Sequence, residues 1–298
     1  MNATEIQPLF AEVQRVIGPR AGVSFQDLLN EAGLEGMDWG VLSISLDFEP
    51  ETTSVKRFTS RTPYANPENY DKAFHRLAEK GLLEPAGPGE YRISKAGHAV
   101  LDHILNTYFG ALGRAAFPPE AVQTVPLLER LVNACLNAPE PDKPILTYNR
   151  HSDPGPDGAA AFRLMQFFAD LGAFRDDCHL AAWRPYGVSG PAWEAFTFLW
   201  RGEAHTADKL AEKLSNRGLS TEHYTQALRE LEQKGWITAA GDGTYQLTEQ
   251  GAALRQKVED ETDRLYYAPW AALSDRELEK LGHLLTRLKE VLSEAQAA

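Results

Sequence analysis

Two segments of the chain carry the same pattern of apolar and polar positions. Residues 70–97 and 224–251 align without a gap, 154 positions apart, and share ten identical residues out of 28. In each segment apolar residues recur at spacings of three and four, as on the buried face of an amphipathic helix. A glycine follows, and then two short apolar runs flank a glycine-rich turn, which is the pattern of a hairpin. The sequence therefore predicts the same helix and hairpin twice, as in an internal repeat.

The ends of the predicted elements are also marked. Asn66 and Ser220 can cap the two amphipathic helices, and Gly81 and Gly235 stand where a helix ends in a left-handed residue. A long helix is predicted after each hairpin, near Ser94 or Thr248. Before the second amphipathic helix, residues 191–200 form an apolar helical run, and residues 206–214 form a short amphipathic one. The order helix, helix, turn, helix, hairpin is typical of a winged helix-turn-helix.

The second copy resembles a known family over residues 193–273. Its stretch LTEQGAALRQKVEDETDRLYYAPWAAL is similar to the entry and long post-wing helix of MarR-type winged helices, and its end resembles SalK-like tandem winged-helix proteins. The resemblance implies a mainly α fold with small β-wings and two winged helix-turn-helix modules in tandem, joined by a helical segment. The expected units are an N-terminal module over 1–137, a linker with central helices over 138–188, and a C-terminal module over 189–298.

The first copy departs from this pattern between residues 40 and 61. Leu42, Ile44, Leu46 and Phe48 alternate with polar residues, as in a half-buried strand, and a turn follows at 49–51. Residues 54–60 can return as a second strand. The alternation therefore predicts a β-hairpin insertion over about 40–61.

The remaining segments are predicted to be helical or to connect helices. Residues 138–144 are a proline-rich linker, and the run from 159 to about 185 is apolar at helical spacing. A last helix is predicted over 274–295, with leucines on one face. In MarR relatives such a helix builds a homodimer interface, so the resemblance implies a dimer; packing on its own domain explains the face equally well.

Charge and composition narrow the class of protein. The 298 residues include 30 Lys and Arg against 42 Asp and Glu, a net charge of −12, and only two cysteines. Few cysteines favour a cytoplasmic setting, and neither a secretory signal nor a run long enough to span a membrane is expected. The acidity argues against a protein that coats nucleic acid without specificity. The acidity of the whole chain is still compatible with a small basic surface that contacts DNA.

A DNA-binding winged helix presents polar and basic side chains on its third helix and in its wing. Cations are concentrated in the first copy. The two predicted wings contain few cations, and Asp242 stands at the tip of the second wing. The candidate DNA-binding residues are Lys56, Arg57, Arg61, Lys72, His75, Arg76, Arg92, Thr225, Gln226 and Arg229. A solvated surface with scattered charges explains the same residues without DNA.

Aromatic residues suggest a second kind of site. They can line a pocket for a small apolar or aromatic effector, or they can fill the core between two modules. The candidate pocket residues are Trp183, Trp193, Trp200, Tyr266, Tyr267 and Trp270.

Catalytic candidates are weak. Asp176 and His179 are three positions apart on a predicted helix and can share a face, but no second cluster of ligands accompanies them. A Cys178–His179 pair is weaker still, because adjacent helical residues point in different directions. Consecutive His151, Ser152 and Asp153 fit a polar turn better than a triad. No enzyme activity, metal or cofactor is therefore expected.

The sequence favours a cytoplasmic DNA-binding transcriptional regulator whose partner is double-stranded DNA. The alternative is a degenerate winged-helix scaffold that binds a small hydrophobic ligand or a protein and no DNA.

Overall fold

A computed structural model describes residues 1–297 of the chain, with side chains described as far as residue 294. It is mostly helical and contains two small antiparallel sheets of two strands each. The predicted fold class, mainly α with small β-hairpins, is confirmed. The elements of the first part are α1 (Ala3–Ile17), α2 (Phe25–Glu31), α3 (Asp38–Asp47), α4 (Val55–Arg61), α5 (Pro67–Glu79), β1 (Leu83–Gly87), β2 (Glu90–Ile93) and α6 (Lys95–Arg114).

The middle and the end of the chain are also helical apart from the second sheet. The central helices are α7 (Pro119–Asn137), α8 (Pro144–Asn149) and α9 (Ala160–Trp183). The last elements are α10 (Gly190–Trp200), α11 (Ala207–Lys213), α12 (Thr221–Gln233), β3 (Ile237–Ala239), β4 (Tyr245–Leu247), α13 (Glu249–Tyr267) and α14 (Asp275–Ala297). Within the described residues, no helix is long and apolar enough to cross a membrane.

The two similar segments fold into the same elements. Helices α5 and α12 both have 13 residues, and they begin after the predicted caps Asn66 and Ser220. Gly81 and Gly235 follow them with φ of 71° and 73°, a conformation that glycine adopts without strain. The hairpins β1–β2 and β3–β4 and the helices α6 and α13 come next in the same order.

One close approach explains a further glycine in each segment. A Cβ atom on Gly97 would lie 2.1 Å from the carbonyl oxygen of Leu82, and one on Gly251 would lie 2.0 Å from that of Trp236. No real Cβ reaches such a distance, so only glycine lets the first turn of α6 or α13 touch the residue that opens the hairpin. This packing fixes each hairpin on the helix that follows it.

The predicted β-hairpin over 40–61 is wrong, because this segment forms the helices α3 and α4. Its alternating run is also compatible with a helix, since Val41, Leu42 and Ser45 are buried at spacings of one, three and four. Only Thr53 pairs as a strand residue, in an isolated bridge to Tyr91 at the edge of the first hairpin. Without a long partner strand, the apolar side chains are buried through a helix instead.

The apolar side chains form two cores. The smaller lies within residues 28–104. The larger contains α1 and the chain from Leu112 onward, so α1 packs away from the elements that follow it in sequence. Helix α14 packs on α1 and α7, and its Leu281, Leu285 and Leu288 are fully covered. The apolar face of α14 is therefore buried by its own chain. This is the second explanation offered for the leucines, in which the helix packs on its own domain.

The two cores meet at a junction in which backbone touches backbone. The N–H of Asn66 donates to the carbonyl of Arg217 over 2.9 Å, and its side-chain amide donates to the carbonyl of Gly218 over 3.1 Å. Trp183 donates through Nε1 to the hydroxyl of Tyr64 over 3.0 Å. A Cβ on Gly190 would lie 2.1 Å from the carbonyl oxygen of Pro63. We call residues 62–66 together with Gly190 and residues 217–218 the junction.

The junction makes a prediction about two glycines. Gly190→Ala forces the Pro63 backbone away from α10, and we expect it to lower the free energy of unfolding by about 1–3 kcal/mol. Gly172→Ala is the matched control, because Gly172 is an exposed interior residue of α9 with no atom within 4 Å of the new Cβ. We expect the control to stabilise the protein by up to about 1 kcal/mol. Urea unfolding of both variants is the measurement, and equal effects would contradict the proposed close contact.

Candidate functional site

Helix α12 presents an uncovered polar face. Gln226 and Arg229 are exposed, and Thr225 is half-buried beside them. The guanidinium of Arg229 has no ion-pair or hydrogen-bond partner among the described residues. Gln226 makes only a 3.5 Å contact to Glu222 on the same helix. The hydroxyl of Thr225 donates to the carbonyl of Thr221 over 2.9 Å, so of these three predicted candidates only Arg229 has a side chain without an internal bond among the described residues.

Helix α5 has a different distribution of charge. Lys72 is exposed and unpaired among the described side chains. His75 is bonded to the Asp71 carbonyl. Arg76 and Lys80, in contrast, both bind the fully buried carboxylate of Asp38, at 2.6 and 3.0 Å. Burial opposes ionisation of this carboxyl, but the two cationic donors outweigh it and hold the pKa of Asp38 below its usual value.

Two of the three cations of α4 are also engaged within the molecule. Arg57 pairs with Glu51 and lies over the ring of Phe48. Arg61 forms a part-buried ion pair with Asp47. Lys56 is exposed and has no partner in the part of the chain that the structure describes. With Arg76, three of the predicted phosphate-binding arginines thus have their charge offset by a carboxylate, so a phosphate must compete with that carboxylate for them.

The wings contribute little positive charge. Arg92 is exposed on β2, and no described residue pairs with it. At the tip of the second hairpin, Asp242 accepts hydrogen bonds from the hydroxyl and the N–H of Thr244, which lower its pKa. The second wing therefore carries an ionised carboxylate where a phosphate would approach.

The two amphipathic helices meet at the junction. Asn66, which caps α5, bonds to the two residues of the turn that precedes α12. A shallow groove lined by Asn69, Lys72 and Asn216 runs between the helix and this turn. The N-terminal ends of both helices thus adjoin, so the two repeated segments are in contact where their amphipathic helices begin.

Comparison with known proteins places this architecture in a family. A model described as a helix-turn-helix family matches residues 106–298, which is about two thirds of the chain. The chain belongs to this helix-turn-helix family. Searches of curated proteins and of solved structures found no match. The family match covers α7 to α14, and hence the whole of the second repeated segment.

A cleft opens in this helix-turn-helix protein beside the junction. It encloses about 380 Å³ between the end of α4, the middle of α9 and helix α10. Its lining is polar and charged, with a few apolar side chains. The residues that line it are Arg61, Thr62, Tyr64, Asp176, His179, Leu180, Glu194, Thr197, Phe198, Arg201 and Arg217.

Some of the charged side chains that line the cleft are held in ion pairs. Others have no such partner among the described residues. Arg217 binds Glu194 through two nitrogens, at 2.7 and 3.0 Å, and Arg61 is held by Asp47. Asp176 and Arg201 have no hydrogen-bond or ion-pair partner among residues with described side chains. Although Asp176 is exposed at the mouth, the surrounding walls desolvate its carboxyl and raise its pKa, against the attraction of Arg61.

His179 lies on the same face of α9, one turn after Asp176. Its Nε2 accepts a 3.3 Å hydrogen bond from Nε1 of Trp193. Burial, and then the charge of Arg255, lower the pKa of His179 to about 4. The imidazole is therefore neutral near pH 7. The neighbouring thiol of Cys178 is buried in the core, which raises its pKa to about 12, so no thiolate forms beside the imidazole.

The other polar candidates have structural partners. Asp177 accepts from the backbone N–H groups of Ile145 and Leu146 and so holds the start of α8. Asp153 pairs with Arg150. In the described part of the chain, no three acidic, histidine or cysteine side chains are grouped as they would be around a metal ion.

The six candidate pocket aromatics lie in two places rather than around one cavity. Trp183 stacks on Trp193 at 5.5 Å, below the cleft, and Arg255 lies between the rings of Trp193 and Trp200. Tyr266, Tyr267 and Trp270 form a separate cluster near α1. None of the six lines the cleft. The effector pocket predicted from them stays a prediction.

The sequence did not indicate the cleft. Asp176 and His179 were recognisable as a pair with helical spacing, but the groups facing them come from α4 and α10. Arg201 stands just after an apolar helix and carries no motif. A cavity assembled from four separated segments leaves no local signal.

The lowered pKa of His179 predicts how the stability of the protein depends on pH. Between pH 6.5 and about 4 the unfolded chain binds a proton at His179 and the folded chain does not, so this group favours unfolding as the pH falls. Relative to His179→Gln, we expect the wild-type protein to lose about 1.4 kcal/mol of stability per pH unit through this window. Urea unfolding of both proteins at several pH values is the measurement. Parallel curves for the two proteins would contradict a buried, neutral imidazole.

Proposed function

We propose that this protein is a cytoplasmic DNA-binding transcriptional regulator of the winged-helix type, without enzymatic activity. In this proposal residues 25–114 and 190–273 are two MarR-like or SalK-like modules in tandem. Helices α1, α7, α8, α9 and α14 surround and join them. The first module is shorter than the predicted 1–137 because α1 and α7 pack in the larger core.

The observation that carries the proposal is the uncovered face of α12 in a chain of the helix-turn-helix family. A recognition helix needs donors and acceptors that reach base edges, and Arg and Gln are the side chains that best pair with guanine and adenine. Gln226 and Arg229 are three positions apart on one exposed face of α12. No described residue forms an ion pair or a hydrogen bond with the guanidinium of Arg229. No internal bond must therefore break before this arginine contacts DNA.

In the proposal, exposed cations of the first module contact phosphates while α12 contacts the bases. Lys72 and Arg92 are exposed cations on the first module without internal partners among the described residues. They are suited to phosphates, which position a protein but carry no sequence information. Because the N-terminal ends of α5 and α12 adjoin, both modules would meet neighbouring parts of a single duplex segment.

A scaffold without DNA binding is the second candidate. The observation that favours it is the internal pairing of Arg57, Arg61 and Arg76, which leaves few free cations on a chain of net charge −12. A protein or small-molecule partner would then occupy the same surfaces. Binding to DNA decides between the two candidates.

Arg229 gives the first test of the regulator. We expect the wild-type chain to select a preferred sequence from random duplexes, and Arg229→Gln to weaken that binding by about 1–3 kcal/mol and to relax the preference at one base pair. Fluorescence anisotropy at fixed salt is the measurement. Arg276→Gln, which removes another exposed and unpaired arginine on α14, is the control and should change nothing. No binding by the wild-type chain at about 50 mM salt would favour the scaffold.

Lys72 gives the second test, through the salt dependence of binding. A lysine that neutralises one phosphate contributes about one to the slope of log K against log salt. We expect Lys72→Gln to reduce the slope by about one and to weaken binding to all sequences alike. Hydroxyl-radical footprinting of the selected duplex should show one continuous protected segment. Two protected half-sites one helical turn apart would contradict the adjoining arrangement of α5 and α12.

A further inference from the structure

The cleft beside the junction holds two opposite charges that have no hydrogen-bond or ion-pair partner among the residues whose side chains are described. These unpaired groups are Asp176 and Arg201, whereas Arg61, Arg217 and Glu194 are each held in an ion pair. Asp176 stands on α9 and Arg201 directly after α10, so the two charges enter the cleft from different elements.

The cleft therefore has a negative group on one element and a positive group on another, and its volume is about 380 Å³. This volume lies in the range of small-molecule sites.

We propose that the cleft binds a small zwitterion of the size and chemistry of an α-amino acid, with its carboxylate at Arg201 and its ammonium at Asp176. Leu180 and Phe198 offer apolar surface to a side chain. The hydroxyls of Thr62 and Thr197 are already bonded within the chain, so the two unpaired charges are the groups that would bind the ligand. This site is assigned independently of DNA binding, and its ligand class differs from the apolar effector expected from the aromatic residues.

The composition of the lining excludes other classes of ligand. A phosphate or a dicarboxylate would gain from the arginines but would meet the carboxylates of Asp176 and Glu194. A metal ion would find no group of three acidic, histidine or cysteine ligands among the described residues. A wholly apolar molecule would leave both unpaired charges desolvated and without a partner, which is costly. A molecule with one charge of each sign satisfies both groups.

The frame of the cleft is rigid enough to select such a ligand. Arg217 is fixed to Glu194 by two donors and lies over the ring of Tyr64. Tyr64 in turn accepts from Trp183. Because these bonds exist before a ligand enters, little order is lost on binding. The lining comes from both sides of the junction, so a bound molecule would also hold the two sides together.

The test uses the full chain and the proteinogenic L-amino acids as probes, each at up to about 10 mM, where even millimolar binding raises the melting temperature. Thermal unfolding finds the probes that bind, and calorimetry gives their Kd. We expect at least one to bind, and its α-amide and its N-acetyl derivative each to bind about tenfold or more weakly, because each lacks one charge. Absence of binding by every amino acid would overturn the proposal, as would binding of either derivative as tightly as the parent amino acid.

Two variants test which side chain binds the carboxylate of the ligand and which binds its ammonium group. Arg201→Gln should weaken the amino acid about tenfold or more and abolish its advantage over the α-amide, while Asp176→Asn should abolish its advantage over the N-acetyl derivative. Neither side chain has an internal bond to lose, so both variants should fold. Arg276→Gln and Asp102→Asn are the charge-matched controls on exposed surfaces. Unchanged affinity in either cleft variant would overturn the assignment, and DNA binding by the wild-type chain is scored separately.

Discussion

The arrangement of this protein depends on a backbone contact at the junction of its two cores. Gly190 allows α10 to approach the carbonyl of Pro63, and the N–H and side chain of Asn66 bond to Arg217 and Gly218. Hydrogen bonds between backbone groups fix direction as well as distance. The contact therefore sets how α5 and α12 face each other, and it forms one edge of the cleft. A side-chain interface of the same size would tolerate more rotation.

Internal ion pairs shape the electrostatic character of the surface. Asp38, Asp47 and Glu194 are part-buried or buried carboxylates, and each holds one or more cations. Such pairs compensate the cost of desolvating the acids more than they add stability. They also remove arginines from the set that is free to bind phosphates. The positive charge that remains for a nucleic acid is confined to a few exposed side chains on an acidic chain, which favours a small, specific contact over broad coating.

The mutual placement of α5 and α12 and the cleft both depend on the same junction. The residues between α4 and α5 contribute Thr62 and Tyr64 to the cleft and Asn66 to the cap of α5. On the other side, Arg217 lines the cleft and stands in the turn that leads into α12. A molecule bound in the cleft would thus contact the segments that orient both helices. The proposed ligand site and the proposed nucleic-acid surface are thus joined by short covalent connections.

Local features of the sequence determined the repeated elements. The spacing of apolar residues, the caps Asn66 and Ser220, and the glycines after each helix specify α5, α12 and the hairpins, because each signal acts within a few residues. The alternating run before residue 49 did not specify its structure, because burial on one side of a short apolar segment is compatible with both a strand and a helix. The pairing of Arg76 with Asp38, the burial of the α14 leucines and the cleft between α4, α9 and α10 were decided only by the tertiary structure. These features join residues that are far apart in sequence, and the position of one segment against another is set by packing that no local pattern records.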